Sequence, residues 1–117
     1  MRHRVEGKKL GRVKNQRTAL MRNLLTSLIL HERIVTTEAK AKALRPKFER
    51  LVTIAKKGNL VAKQQLLKSL YNNQVVVRKM IRVIAPRYQD RTGGYTRVIR
   101  KGIRVGDAAP TSIIELI

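Results

Sequence analysis

The sequence has no cysteine, no tryptophan and only seven acidic residues, set against 27 Lys and Arg. Lack of cysteine excludes disulfides, a thiolate nucleophile and any zinc site with sulfur ligands, and it fits a reducing compartment. Aromatic residues make up 3% of the chain: Phe48, Tyr71, Tyr88 and Tyr95. That is too few for the RNA-binding sheets that display rows of aromatics, so the core has to come from Leu, Ile, Val and Ala. No apolar run reaches the roughly 18 residues needed to span a bilayer. No apolar segment follows the basic opening Met1–Arg4, as a signal peptide would require. A cytoplasmic protein is expected.

Catalytic constellations are missing too. The two histidines are His3 and His31, and the carboxylates are scattered, with no spacing that sets two on one helix face. His31 neighbours Glu32 at a predicted helix end, where positive charge suits the helix dipole. The pair has neither a third ligand nor a nucleophile. Gly93-Gly94-Tyr95-Thr96 lacks the Lys-Ser/Thr ending of a phosphate loop and leads towards a strand. No enzyme, metal, cofactor or small-molecule substrate is implied.

What the chain does have is positive charge. The net charge is +20 over 117 residues, a length for one domain. A hydrophobic share of 43% is that of a folding chain. Like charges repel in the compact state, so a polyanionic partner is expected. Residues 1–16 read as an arm, with Arg2, Arg4, Lys8, Lys9, Arg12 and Lys14 against Glu6, and with Gly7 and Gly11 interrupting any helix. Such a segment orders on a polyanion, and nucleic-acid contact is expected of it.

Residues 17–117 read as one globular domain. A helix is predicted over 17–31, with Leu20, Met21, Leu24, Leu25, Leu28 and Ile29 on one face and Asn15 as its cap. Arg33–Thr36 suits a strand. Thr37 caps a helix to about Lys57, which Pro46 is expected to kink or split; Gly58 stops it and Asn59 caps the next, over 60–71. After a turn at Asn72-Asn73, helical spacing of Val77, Met80, Ile81 and Ile84 predicts a helix ending before Pro86. Strands are expected at Tyr95–Lys101 and Ser112–Ile117, paired with each other and joined by the early strand. The fold class is α+β, with helices on a sheet of about three strands.

Basic residues occur in every segment, without a zinc finger, a basic zipper or an isolated groove-reading helix. Many phosphate contacts from several surfaces are expected, with steep salt dependence. A membrane-surface role wants charge clustered beside an amphipathic helix or lipid anchor, and here the charge is spread. A DNA-binding nucleoid protein and an RNA-modifying enzyme remain alternatives on composition.

Seven pieces in order narrow the choice: Met1-Arg-His-Arg with Gly7-Lys-Lys-Leu-Gly-Arg12; Arg17 and Arg22-Asn-Leu24; Thr36-Thr-Glu-Ala-Lys-Ala-Lys-Ala-Leu-Arg-Pro46; Ala55-Lys-Lys-Gly58; Ile84-Ala-Pro-Arg-Tyr88; Asp90-Arg91 with Gly93-Gly-Tyr-Thr-Arg97; and Gly106-Asp-Ala-Ala-Pro110. Over essentially its whole length the chain resembles the bacterial large-subunit ribosomal protein seventeen family. The resemblance implies a structural protein of helices on a small mixed sheet. It implies binding to large-subunit ribosomal RNA near the polypeptide exit tunnel, and contact with neighbouring ribosomal proteins. It carries over Arg2, His3, Arg4, Lys8, Lys9, Arg12, Arg17 and Arg22 as RNA contacts, joined by Arg91, Tyr95 and Arg97; Lys14 is added from the arm's charge. Gln16 stands where many relatives have His, and Gln64-Gln65 where many have paired arginines, so any phosphate contact made there is absent. The chain stops at Ile117, without the C-terminal extension of some members.

Overall fold

A computed structural model of the chain describes residues 14–117. The arm contacts expected at Arg2, His3, Arg4, Lys8, Lys9 and Arg12 lie outside the described residues. Lys14–Gln16, expected to finish the arm, form instead the first turn of helix α1 (Lys14–His31). Asn15 is therefore inside the helix and not at its cap. Met21, Leu25, Leu28 and Ile29 are the buried stripe of α1, with Leu20 and Leu24 packed at its border.

Strand β1 (Arg33–Thr37) leads directly into α2 (Glu38–Lys57). The Thr37 hydroxyl accepts from the Lys40 amide at 3.4 Å, and Glu38 sits in the first turn, where the dipole favours negative charge. Ala41, Leu44, Phe48, Leu51, Val52 and Ala55 bury one face of α2. The helix is not split at Pro46. Pro46 lies on the exposed side, where water meets the cost of the lost donor, while Leu44 and Phe48 seat both halves in one core. Gly58 ends α2 in the left-handed conformation (φ +65°), and its amide donates to the Ala55 carbonyl at 3.1 Å. The Asn59 side chain accepts from the Ala62 amide at 2.8 Å and starts α3 (Leu60–Ser69).

The next helical stretch is composite. Asn73 caps α4 (Gln74–Lys79), which continues through a π-helical turn (Met80–Ile84) into α5 (Ala85–Arg87). The helix was expected to end before Pro86, and it does not. The Ala85 amide reaches back to the Met80 carbonyl, five residues away. This wider turn eases the clash between a proline ring and the preceding carbonyls that would stop an α-helix.

β2 (Thr96–Ile103) and β3 (Pro110–Leu116) form a hairpin with a register irregularity between Arg100 and Gly102. The sheet order is β1-β3-β2, and both pairings are antiparallel. The α+β class and three strands are as expected, but the implied mixed sheet is not: β1 and β2 both run against β3. Ile34, Ile114 and Val98 align across the inner face and join the helical core. Arg33, Glu115 and Arg97 align across the outer face.

Candidate nucleic-acid interface

Charge pairing divides the surface into two kinds. Residues 14–117 contain 22 Lys and Arg and six carboxylates. Five of those carboxylates form ion pairs, and they engage eight cations: Arg33, Lys42, Arg45, Lys79, Arg87, Arg97, Arg100 and Arg104. Fourteen Lys and Arg side chains meet no carboxylate among the described residues, and twelve of them stand on the helical segments. Of the eight paired cations, Lys42, Arg45, Lys79 and Arg87 also stand on helical segments, while Arg33, Arg97, Arg100 and Arg104 lie on the sheet or its hairpin turn. Glu115 bridges Arg97 (2.9 Å) and Arg33 (3.7 Å) across the sheet. Glu38 joins Lys42 (2.9 Å) to Arg100 of β2 (3.4 Å). Glu32 holds Arg87 and Lys79.

The same pairing makes these carboxyls more acidic. Hydrogen bonding from Arg87 holds Glu32 below the ordinary carboxyl range, and Lys42 does the same to Glu38. Asp107 is lowered to about 2, first by the Arg104 fork and then by the Ala109 amide. His31 is exposed in the last turn of α1, and Glu32 turns to Arg87 and Lys79. No group of three or more His, Cys, Asp or Glu that could hold a metal ion occurs among the described residues. No described helix is long and apolar enough to cross a membrane.

The expected contact residues have separate fates. Lys14 and Arg17 stand in the first turn of α1, Lys14 exposed and Arg17 partly buried. Arg22 stacks on the Tyr71 ring, 4.9 Å from its centroid. Arg91 lies in the loop before β2, and its Nε donates to the Gly93 carbonyl at 3.1 Å. That loop is pinned from α2. Lys56 Nζ donates to the Arg91 carbonyl and to the Tyr95 hydroxyl (3.2 Å), while Glu49 accepts from the Tyr95 amide at 3.2 Å. Arg97 is exposed, but its guanidinium is engaged by Glu115.

Tyr95 requires a correction. It is 1% exposed, and its ring packs against Tyr88 with centroids 5.2 Å apart. Its hydroxyl donates to the Arg91 carbonyl at 3.1 Å. A ring enclosed in this way has no face for RNA; it holds the loop that carries Arg91. The alternation of the strand gave no sign of this, because Tyr95 immediately precedes β2.

One basic feature was missed. The end of α2, the start of α3 and the α4 segment border a cleft of about 430 Å³. Lys63, Arg78 and Arg82 line it beside Leu60, Val77 and Ile81, and no carboxylate does. In the sequence Arg78 and Arg82 are four apart, the spacing of one helix face, and fall between the apolar positions Val77, Met80, Ile81 and Ile84. Their approach to Lys63 depends on how α3 folds back on α4, which helical spacing does not fix.

A family model described as Ribosomal protein L17 matches residues 20–117. Among curated relatives, the Large ribosomal subunit protein bL17 of Syntrophotalea carbinolica is 50% identical over all of this chain and 75% of its own length. The protein of the same name from Geobacter sulfurreducens is 51% identical, with 66% of its length covered. That from Trichlorobacter lovleyi is 50% identical, with 94% covered. With half its residues shared over its whole length, and the family pattern matched from α1 to β3, the chain belongs to the ribosomal protein L17 family.

Proposed function

We propose that the chain is a structural constituent of the large ribosomal subunit, working in the cytoplasm, that binds folded large-subunit rRNA and holds its segments together by phosphate contacts. One observation carries the reading: fourteen Lys and Arg side chains between residues 14 and 117 meet no carboxylate among the described residues, and twelve sit on helical segments. Each can release a counterion on meeting a phosphate, which makes binding favourable and salt-dependent. Phosphate contacts fix position without reading sequence, as suits packing one folded RNA.

The contacts proposed are Arg2, His3, Arg4, Lys8, Lys9, Arg12 and Lys14 of the N-terminal segment, Arg17 and Arg22 of α1, and Arg91 and Arg97 around the start of β2. Lys63, Arg78 and Arg82 join them. The role is structural and not enzymatic. Neighbouring large-subunit proteins near the exit tunnel are the further partners, as membership of the family suggests.

The test is sedimentation of cell lysate through a high-salt sucrose cushion, with the chain followed across fractions. Co-sedimentation with the large subunit, lost only when other core proteins are stripped, is the expected result. Recovery mainly in free or DNA-bound fractions would overturn the reading.

A further inference from the structure

Of the four aromatic residues, Phe48, Tyr88 and Tyr95 are buried and Tyr71 is 48% exposed. Tyr71 sits in the turn between α3 and α4 with φ +57°, and Asn72 follows with φ +56°. Left-handed backbone is unfavourable for any residue with a Cβ, and a bulky aromatic is an unusual occupant. The turn is nevertheless well fixed. The Asn72 amide donates to the Leu67 carbonyl at 2.7 Å, the Asn73 amide to the Leu70 carbonyl at 3.1 Å, and the Asn73 side chain accepts from the Val76 amide at 3.3 Å. Strain held in place by its surroundings is a reason to ask what the side chain does.

The Arg22 guanidinium carbon lies 4.9 Å from the Tyr71 centroid, over one face of the ring. Arg22 has no carboxylate partner among the described residues, and neither does any other cation of α1. Even with Arg22 in place, about half of the tyrosine remains open to solvent.

We propose that Tyr71, backed by Arg22, is a stacking platform for one unpaired nucleobase of the bound RNA. The inference rests on the rRNA-binding reading and adds a base contact to a surface otherwise suited to phosphates. Every base has a π face, so stacking is tolerant of sequence. An unpaired base is required, because bases within a helix are already stacked on their neighbours. The guanidinium fixes the ring on one side, and its outer donors remain free for the phosphate next to the stacked base. A purely structural role, in which Arg22 and Tyr71 staple the turn to α1, makes the opposite prediction about binding.

The chain has no tryptophan, so Tyr71→Trp puts a single indole reporter at the platform. Full-length variants are titrated with protein-free large-subunit rRNA and with heparin, a polyanion that has no bases. Indole quenching by rRNA and not by heparin is expected. Tyr71→Ala and Tyr71→Gly should weaken rRNA binding by about 5- to 150-fold, the range for loss of one base stack. Heparin affinity should be unchanged, and Tyr71→Phe should bind like the unsubstituted chain. Tyr71→Gly also relieves the backbone strain, so its Tm should be no lower than that of Tyr71→Ala. The proposal is overturned if Tyr71→Gly binds rRNA like the unsubstituted chain, or if heparin quenches the indole as rRNA does. If the unsubstituted chain itself shows no preference for rRNA over heparin, the ribosomal reading fails and takes the platform with it.

Discussion

Lys63, Arg78 and Arg82 converge on one cleft from two helical segments, and none of them meets a carboxylate. Replacing all three by Gln removes three charges from exposed positions. Stability should change little, since exposed polar substitutions usually stay within about 0.5 kcal/mol each. Binding should change in a specific way. Each phosphate neutralised contributes about 0.7 to 0.9 to the slope of log affinity against log salt. Three lost contacts therefore make the slope shallower by roughly 2 to 3. Between 50 and 200 mM KCl the triple variant should lose about 20- to 40-fold less affinity than the unsubstituted chain does. The assay is filter binding of full-length chain to protein-free large-subunit rRNA at several salt concentrations. The control combines Arg104→Gln with Asp107→Asn, which deletes an ion pair, keeps the net charge and should leave the slope alone. A folded triple variant with an unchanged slope would refute the assignment of this cleft to RNA.

Three further outcomes concern the scaffold. Phe48→Ala opens a cavity at a site with 0% exposure, at a cost of about 3–5 kcal/mol; calorimetry should show Tm lower by about 10–20 °C, and a loss under about 1 kcal/mol would contradict the central placement of this ring. At the α2–α3 junction, Gly58→Ala meets no neighbour within 4 Å and pays only for its φ of +65°, while Asn59→Ala loses a cap; each should cost about 1 kcal/mol in urea unfolding, and a neutral result for Asn59→Ala would argue against the cap. In acid, Glu32, Glu38 and Asp107 all titrate below their ordinary values of 4.5, 4.5 and 3.8. A carboxylate lowered by folding contributes stability above its unfolded pKa and loses it as pH falls through the folded value. Through these groups, Tm should be level from pH 8 to 5 and fall between about 4.5 and 2; a Tm that holds level down to pH 2 would show that the pairs contribute nothing.

Local rules made the helices legible. Thr37, Gly58 and Asn59 mark both ends of α2 and the start of α3 by chemistry that acts within four residues, and the structure uses all three. The buried faces follow from 3.6-residue spacing of Leu, Ile and Val. The departures come from neighbours that spacing does not record. Pro86 looks like a stop when only its missing donor is weighed, yet the π-helical turn carries the helix past it to Arg87. Tyr95 stands in a Gly-Gly-Tyr-Thr-Arg segment of basic character, and its burial depends on Lys56 and Glu49, some 40 positions earlier in the chain. The sheet pattern was readable strand by strand, while the central place of β3 required knowing that β1 and β2 both pair with it. At the candidate interface, which side chains are basic was plain, but which of them are already neutralised was not.

That last distinction explains how a chain of this charge folds and still binds. Its few carboxylates connect parts of the fold that like charges would push apart. Glu32 ties the α1–β1 junction to Lys79 and Arg87, Glu38 ties α2 to β2, and Glu115 ties together the two edge strands through Arg33 and Arg97. Glu49 pairs with Arg45 and also accepts from the Tyr95 amide, so it fixes the loop that displays Arg91. Exposed pairs of this kind contribute little each, but each carboxylate also lowers repulsion where two elements meet. Removing one therefore has two costs: the net charge rises and a junction is loosened. Removing a helical cation that meets no carboxylate and, unlike Lys56 and Arg22, holds no other group has the reverse effect on the free protein, since repulsion falls and no contact is lost. The two classes of substitution should separate in one experiment. Glu32→Gln and Glu115→Gln should lower the Tm of the free chain, and rRNA should recover part of the loss by screening the excess charge. Lys63→Gln and Arg78→Gln should leave that Tm level or raise it, while weakening rRNA binding. If both classes shift stability and affinity in parallel, the division of labour between carboxylates and helical cations is wrong.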